Sequence, residues 1–280
     1  MTLISQKCVT GPSTWSTDSL SRSSMGTFRF KRFEVVNDRS AMKVNTDGVL
    51  LGAAMTIRPE DRCMLDIGTG TGTIALMAAQ RVADHVGMEA SHGNIRIDAV
   101  DIDEPSATEA AKNFANSPWA ECLHAHNVSL DAFAATDQMD GHALVQKYDL
   151  IFSNPPYFED SLTAPDERKS TARHTSEGLS YRDIFEFAKE RLTGDGRVSL
   201  VLPADQEAAL CRYARMCGLH LFRILRIRTV PRKAPSRMIA EFSRHRCEAV
   251  KEELLTIQNE GQYTQEYLSL THDFYLFACN

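Results

Sequence analysis

Residues 63–83 read CMLDIGTGTGTIALMAAQRVA: a short apolar run, a glycine-rich turn and a strongly apolar helical stretch in direct succession. The run at 63–68 has the length and composition of a strand buried on both faces, and 73–83 those of a helix. A buried strand that leaves through DIGTGTG (66–72) straight into a helix belongs to an α/β sheet with crossover helices. The glycines permit positive φ and let the backbone approach a ligand closely. The turn lacks the Lys-Ser/Thr of a triphosphate-binding loop, which disfavours a nucleoside triphosphate.

The alternation continues along the chain. IRIDAVDID (95–103) reads as a strand, and a helix at 105–117 has Pro105 in its first turn. HAHNVSL (124–130) reads as a third strand, 131–147 as an irregular acidic stretch, and YDLIF (148–152) as a buried strand. Helices are expected at 180–192 and 205–217, strands at 197–203, 221–230 and 237–243, a strand-like run at 254–258 and a helix at 264–277. Before the first buried strand, FRFKRFEVV (28–36) alternates apolar and basic residues like a half-exposed strand or hairpin arm, and Thr46 or Asp47 is placed to cap a helix. The fold class is therefore α/β: one domain with a mostly parallel sheet covered by helices on both faces. Residues 26–50 form an extension folded onto a core of 51–280. Residues 1–25, dominated by Ser, Thr and Gly, read as a flexible tail outside the fold.

At 280 residues the chain can bury a sizeable core. A formal net charge of −6 argues against a wholly basic nucleic-acid coat but not against local basic patches. No run approaches a membrane span, and the N-terminal residues show no secretory pattern. The seven cysteines are scattered, odd in number and free of CxxC spacing, as expected of reduced thiols in a cytoplasmic protein without a metal centre.

Two acids sharpen the glycine turn. Asp66 ends the strand before the glycines, and Asp101, with Asp103 beside it, stands at the end of the next strand. A carboxylate there can accept both hydroxyls of a ribose, and ligands of open α/β sheets lie outside the carboxyl ends of the strands. At the end of YDLIF comes SNPPYF (153–158). Two prolines terminate the strand because neither can donate to the ladder. The stiff corner carries an amide, Asn154, and a ring, Tyr157, which suits a flat ligand with an amino edge.

This combination resembles the class I S-adenosylmethionine-dependent methyltransferases. The resemblance implies a seven-stranded, mostly parallel sheet with one antiparallel strand. It implies that Asp66, Gly68, Gly70 and Gly72 approach the methionine part of S-adenosylmethionine and that Asp101, with Asp103, holds its ribose. Where many members carry a third acid near the adenine, this chain has Asn127 or Ser129. SNPPYF is similar to the motif of amino-methyltransferases acting on adenine N6, cytosine N4 or a protein glutamine amide. The resemblance assigns methyl transfer to Asn154, Pro155, Pro156 and Tyr157. Asn154 and the Pro155 carbonyl would accept the amine hydrogens, and Tyr157 would stack on the base.

The segments AMKVNTDGVLLGA (41–53), NSPWAE (116–121), TARHT (171–175) and YLSLTHDFYLF (267–277) further resemble the bacterial tRNA adenine-N6-methyltransferases acting on adenine 37 of a valine tRNA. That family implies a tRNA anticodon loop as partner. Basic residues support RNA: Arg29, Lys31, Arg32, Arg39 and Lys43 in the extension, and Arg168, Lys169, Arg173 and His174 after the proline corner. A third group is Arg223, Arg226, Arg228, Arg232, Lys233 and Arg237. Phe28, Phe30 and Phe33 could stack on unpaired bases or turn inward as a core stripe. Trp119 reads as core. The alternatives are N5-methylation of a protein glutamine, N6-methylation of adenine in another RNA or in DNA, and a silent RNA-binding module that only keeps the fold.

Overall fold

In the computed structural model, which describes residues 26–40, 42–86, 94–139, 146–157 and 178–276, eight strands hydrogen-bond into one sheet. An antiparallel hairpin of β1 (Thr27–Arg29) and β2 (Glu34–Val36) precedes α1 (Thr46–Ala54). Then follow β3 (Cys63–Ile67), α2 (Thr73–Val86), β4 (Arg96–Asp101), α3 (Glu104–Ala115), β5 (Leu123–Asn127), α4 (Leu130–Met139) and β6 (Tyr148–Ser153). The second half contains α5 (Tyr181–Arg191), β7 (Leu192–Pro203), α6 (Glu207–Met216), β8 (His220–Arg228), β9 (Arg237–Ser243), β10 (Lys251–Thr256) and α7 (Gln265–Thr271).

The sheet order is β10-β8-β9-β7-β6-β3-β4-β5. Only β9 runs antiparallel to its neighbours. From β3 the chain works outward to β5, then returns to β6 on the other side of β3. That reversal opens a crevice at the carboxyl ends of β3 and β6. The seven strands expected are present, and β10 adds an eighth beyond β8 at the edge. Side chains alternate between two cores. Met64 with Leu150 and Phe152 faces α1, α2 and the hairpin, whereas Leu65, Ile67 and Ile151 face α5 and α6.

Several expectations are corrected. The acidic stretch after β5 contains α4, whose Leu130, Phe133 and Ala134 pack on the core at helical spacing among polar residues that obscure it in the sequence. The cap of α1 is neither Thr46 nor Asp47 but Asn45, whose Oδ1 accepts from the Gly48 amide at 2.8 Å. Asp47 is thereby left for other contacts. The phenylalanine stripe turns inward. Phe30 and Phe33 are buried, stacked at 4.5 Å, with Phe30 against Tyr275 and Phe33 edge-on to buried Trp119. Phe28 is packed half-buried against the same cluster, so none of the three presents a stacking platform.

Candidate active site

The glycine turn is tied to the end of β4. Gly68 and Thr69 amides donate to Val100 O at 2.9 and 3.1 Å, and the Gly70 amide donates to Asp101 Oδ2 at 2.8 Å. The glycines differ in what they allow. At Gly70 (φ +57°) an added methyl would meet nothing closer than Met42 O at 3.9 Å, so the space beside the backbone is open. At Gly72 (φ +81°) it would strike Phe114 of α3 at 2.4 Å, so that glycine serves helix–turn packing. Gly68 begins the turn at φ +70°.

Asp66 is fully buried below this turn. Its Oδ2 accepts from Thr69 Oγ1 at 2.7 Å, while Oδ1 has no hydrogen-bond partner among the described residues. Burial pushes its carboxyl up to about 7, opposed by the Thr69 hydroxyl and then by the Ala75 amide. A buried oxygen without a donor, beneath a glycine turn whose backbone is open at Gly70, fits a ligand that brings an N–H. The α-ammonium of S-adenosylmethionine meets that description. Asp101, half-buried, accepts from the Gly70 and Asp103 amides and keeps further lone pairs free; burial raises its carboxyl. Asp103 instead caps α3, its Oδ2 accepting from the Ser106 amide and hydroxyl. Between the two acids Ile102 leaves 76% of its surface exposed, an apolar plate the sequence reading missed. Asn127 Nδ2 donates to the Asp101 and Ile102 carbonyls, and Ser129 Oγ receives the Ala132 amide at the start of α4. These two side chains shape the loop after β4 and the entry of α4.

At the crevice's other side, Ser153 Oγ donates to Ile67 O at 2.6 Å, pinning the end of β6 beside the residue that precedes Gly68. Asn154 and Pro155 are buried, Pro156 is exposed and Tyr157 is half-buried. Asn154 Nδ2 points at Asn45 Oδ1 (3.5 Å) and Met42 Sδ (3.9 Å). Asn154 Oδ1 faces the Tyr157 hydroxyl at 3.0 Å. That hydroxyl lies equally 3.0 Å from Asp47 Oδ2, which also accepts from Arg237 Nε at 2.9 Å. The Arg237 guanidinium covers one face of the Tyr157 ring, 4.9 Å from its centroid. Burial, then Asp47, holds the Tyr157 hydroxyl well above the ordinary phenol range, so it stays a donor.

The extension is therefore part of the site. Glu109 of α3, buried, accepts from the amides of Asp38, Arg39 and Ser40 at 2.6–2.9 Å, and Asn113 bonds both Val36 N and Val36 O. This anchorage delivers Met42, Asn45 and Asp47 to the proline corner. All three lie in the segment 41–53 noted in the sequence, where Asp47 is singled out as a cap. Asn45, Met42 and the inward role of Arg237 did not stand out, since nothing local links residue 237 to residue 47.

The basic residues divide. Arg29 pairs with Glu34, Arg32 pairs with Asp84 and lies over Trp119, and Lys43 donates to Asp38 O at 3.0 Å; Lys31 is exposed. Arg223 and Arg226 are engaged by Glu241, Glu253, Glu207 and Glu252, and Arg237 belongs to the proline corner. The third cluster is therefore not a free basic surface, although Arg232 and Lys233 are exposed. Arg168, Lys169, Arg173 and His174 lie outside the described residues.

The strand order, the single antiparallel strand, the glycine turn after β3, the acid after β4 and the proline corner after β6 define a class I S-adenosylmethionine-dependent methyltransferase. A predicted O-methyltransferase from Agrobacterium tumefaciens shares this fold with a TM-score of 0.53 at 16% identity, over 81% of this chain and 96% of that one. Residues 40–211 match the methyltransferase small domain. A Bacteroides thetaiotaomicron protein named tRNA1(Val) (adenine(37)-N6)-methyltransferase is 39% identical, over 89% of this chain and 97% of its own length. A Yersinia pseudotuberculosis protein of the same name is 39% identical over 90% and 92%. The chain belongs to this tRNA1(Val) (adenine(37)-N6)-methyltransferase family.

Proposed function

We propose that the protein methylates N6 of adenine 37 in the anticodon loop of a valine tRNA, using S-adenosylmethionine. The observation that carries the reading is the fixed amide of Asn154 at the end of β6, joined through Ser153 to the residue before the glycine turn. S-adenosylmethionine, when bound, supplies a methyl group already activated by a positive sulfur. Asp66 Oδ1 would receive its ammonium, the open backbone at Gly70 would leave it room, and Asp101 would take the ribose hydroxyls. Ile102 offers apolar surface to a purine, with Asn127 and Ser129 as polar groups at the same loop.

Asn154 Oδ1 and the Pro155 carbonyl each accept one N–H of the target amine. Both hydrogens held in this way leave the nitrogen lone pair free to point at the methyl carbon. The cofactor would supply the methyl group to that nitrogen, and Asn154 Oδ1 and the Pro155 carbonyl would stabilise the positive charge developing on the amine. The surplus proton leaves to water. No strong base is required, so catalysis is chiefly positioning. Tyr157 stacks on the base with the face that Arg237 leaves free.

Adenine 37 lies in a loop, so it enters the site without disrupting a duplex. Exposed Lys31 and the hairpin's Arg29 and Arg32 supply phosphate contacts, the surface pairs with Glu34 and Asp84 being weak enough for a phosphate to displace. Lys43 adds to that basic surface. The cytoplasm, where the substrate resides, suits a chain whose described cysteines are free thiols. The test is incubation with labelled S-adenosylmethionine and total tRNA from a strain lacking the enzyme, followed by mass mapping. Label at adenine 37 of a valine tRNA is expected; label at another nucleotide, or only in protein, overturns the reading.

A further inference from the structure

The Tyr157 hydroxyl stands between two acceptors, 3.0 Å from Asp47 Oδ2 and 3.0 Å from Asn154 Oδ1. It carries one hydrogen and can serve one of them well at a time. Asn154 Oδ1 is also the oxygen that the target amine needs under the reading above, on which this inference rests. Left alone with Asn154, the hydroxyl would spend its hydrogen on that oxygen and weaken it as an acceptor for the amine.

We infer that Asp47 is a positioning residue that draws the Tyr157 hydroxyl hydrogen to itself and so keeps Asn154 Oδ1 open for the target amine. A hydroxyl bonds a carboxylate about twice as strongly as a neutral amide oxygen, so the hydrogen goes to Asp47. Arg237 holds the carboxylate in place, its Nε on the same Oδ2 at 2.9 Å and its Nη1 on Ser236 O at 3.0 Å. Its guanidinium over the ring fixes the plane of Tyr157 as well. From the other side Asn45 Oδ1 faces Nδ2 of Asn154, which keeps Oδ1 turned towards the hydroxyl and the crevice. The hydroxyl proton and the amine proton are thus sorted onto two different oxygens before the base arrives. The three elements involved come from distant parts of the chain: the first turn of α1, the corner after β6 and the start of β9.

The test compares Asp47→Ala, Tyr157→Phe and the double variant, on an unmodified valine tRNA transcript bearing adenine 37. For Asp47→Ala kcat should fall about tenfold, the effect of one misdirected hydrogen bond, with the affinity for S-adenosylmethionine unchanged and KM for the transcript moved less. Tyr157→Phe alone should cost only a few-fold. Added to Asp47→Ala, it should restore most of the lost kcat, because the competing hydroxyl is gone. A merely structural role for Asp47 would make the two losses add, and a double variant as slow as Asp47→Ala overturns the inference while leaving the methyltransferase reading intact. If Asp47→Ala lowers the melting temperature markedly, Asp47→Asn with and without Tyr157→Phe makes the same comparison. Wild-type protein that transfers no methyl group to RNA overturns the reading and the inference together.

Discussion

Asn45 Oδ1 stands 3.5 Å from the side-chain nitrogen of Asn154 while accepting the Gly48 amide at 2.8 Å, so one oxygen both caps α1 and orients the buried amide of the proline corner. Its own orientation is settled by Asn45 Nδ2 donating to Lys43 O. The two duties separate by substitution. Asn45→Ser keeps a good cap but is too short to reach Asn154; Asn45→Ala loses both. Thermal unfolding should show Asn45→Ala less stable by about 1 kcal/mol and Asn45→Ser near wild type. Turnover should drop in both. A Ser variant with full kcat would remove Asn45 from the orientation of Asn154.

The sheet was legible in the sequence because each strand and helix announces itself locally. CMLDI is apolar enough to be buried on both faces, and DIGTGTG has glycines where positive φ is required. The acids and SNPPYF were legible for the same reason: each sits at a strand end. What could not be read was the partnership of Asp47 with Arg237, which are 190 residues apart and meet only because β9 runs antiparallel beside β7. Left open was whether Phe30 and Phe33 turn inward, since alternation gives two faces without saying which meets the core. The acidic stretch concealed α4 because a helix of ten residues needs few apolar contacts to dock.

The glycines of the turn should fail in opposite ways. In Gly72→Ala the new methyl collides with Phe114 at a φ unsuited to alanine, and the loss of stability should be about 2–4 kcal/mol. Gly70→Ala meets no neighbour, so the cost is roughly 1 kcal/mol of backbone strain. Its methyl instead enters the space assigned to S-adenosylmethionine. Calorimetry should therefore show Gly70→Ala folded with cofactor affinity lowered at least about tenfold. Intact affinity in that variant would move the methionine part away from Gly70.

Glu109 lies in α3, yet it should govern turnover. Its carboxylate is the acceptor for three successive amides of the strap that carries Asn45 and Asp47. In Glu109→Gln one of the acceptor oxygens becomes an N–H donor facing an amide, at a cost of about 1–3 kcal/mol. Hydrogen exchange at Asp38, Arg39 and Ser40 should accelerate, kcat should fall, and exchange in β6 should not change. Unchanged exchange at those amides would mean that the strap is held by its other contacts, chiefly Asn113 with Val36.

Asp66 gives the protein a pH signature with a defined sign. Its carboxyl is raised from 3.8 to about 7 by burial, so the folded state holds the proton more tightly than the unfolded chain. For such a group the stability of the cofactor-free protein is complete below about pH 4 and declines as pH rises to about 7, then levels, because ionisation in a buried site costs more than in water. Binding reverses the preference. An ammonium beside Oδ1 favours the carboxylate, so cofactor binding at pH 6 must expel the proton. Affinity should then climb towards pH 7 by at most about tenfold per unit and decline again as the ammonium deprotonates near about pH 8. Titration calorimetry in two buffers of different ionisation enthalpy reads the released proton directly. Asp66→Asn should lose the acid limb and the proton release while keeping the alkaline limb. Proton release at pH 6 that survives in Asp66→Asn would place the coupled group elsewhere and leave Asp66 Oδ1 without its assigned donor.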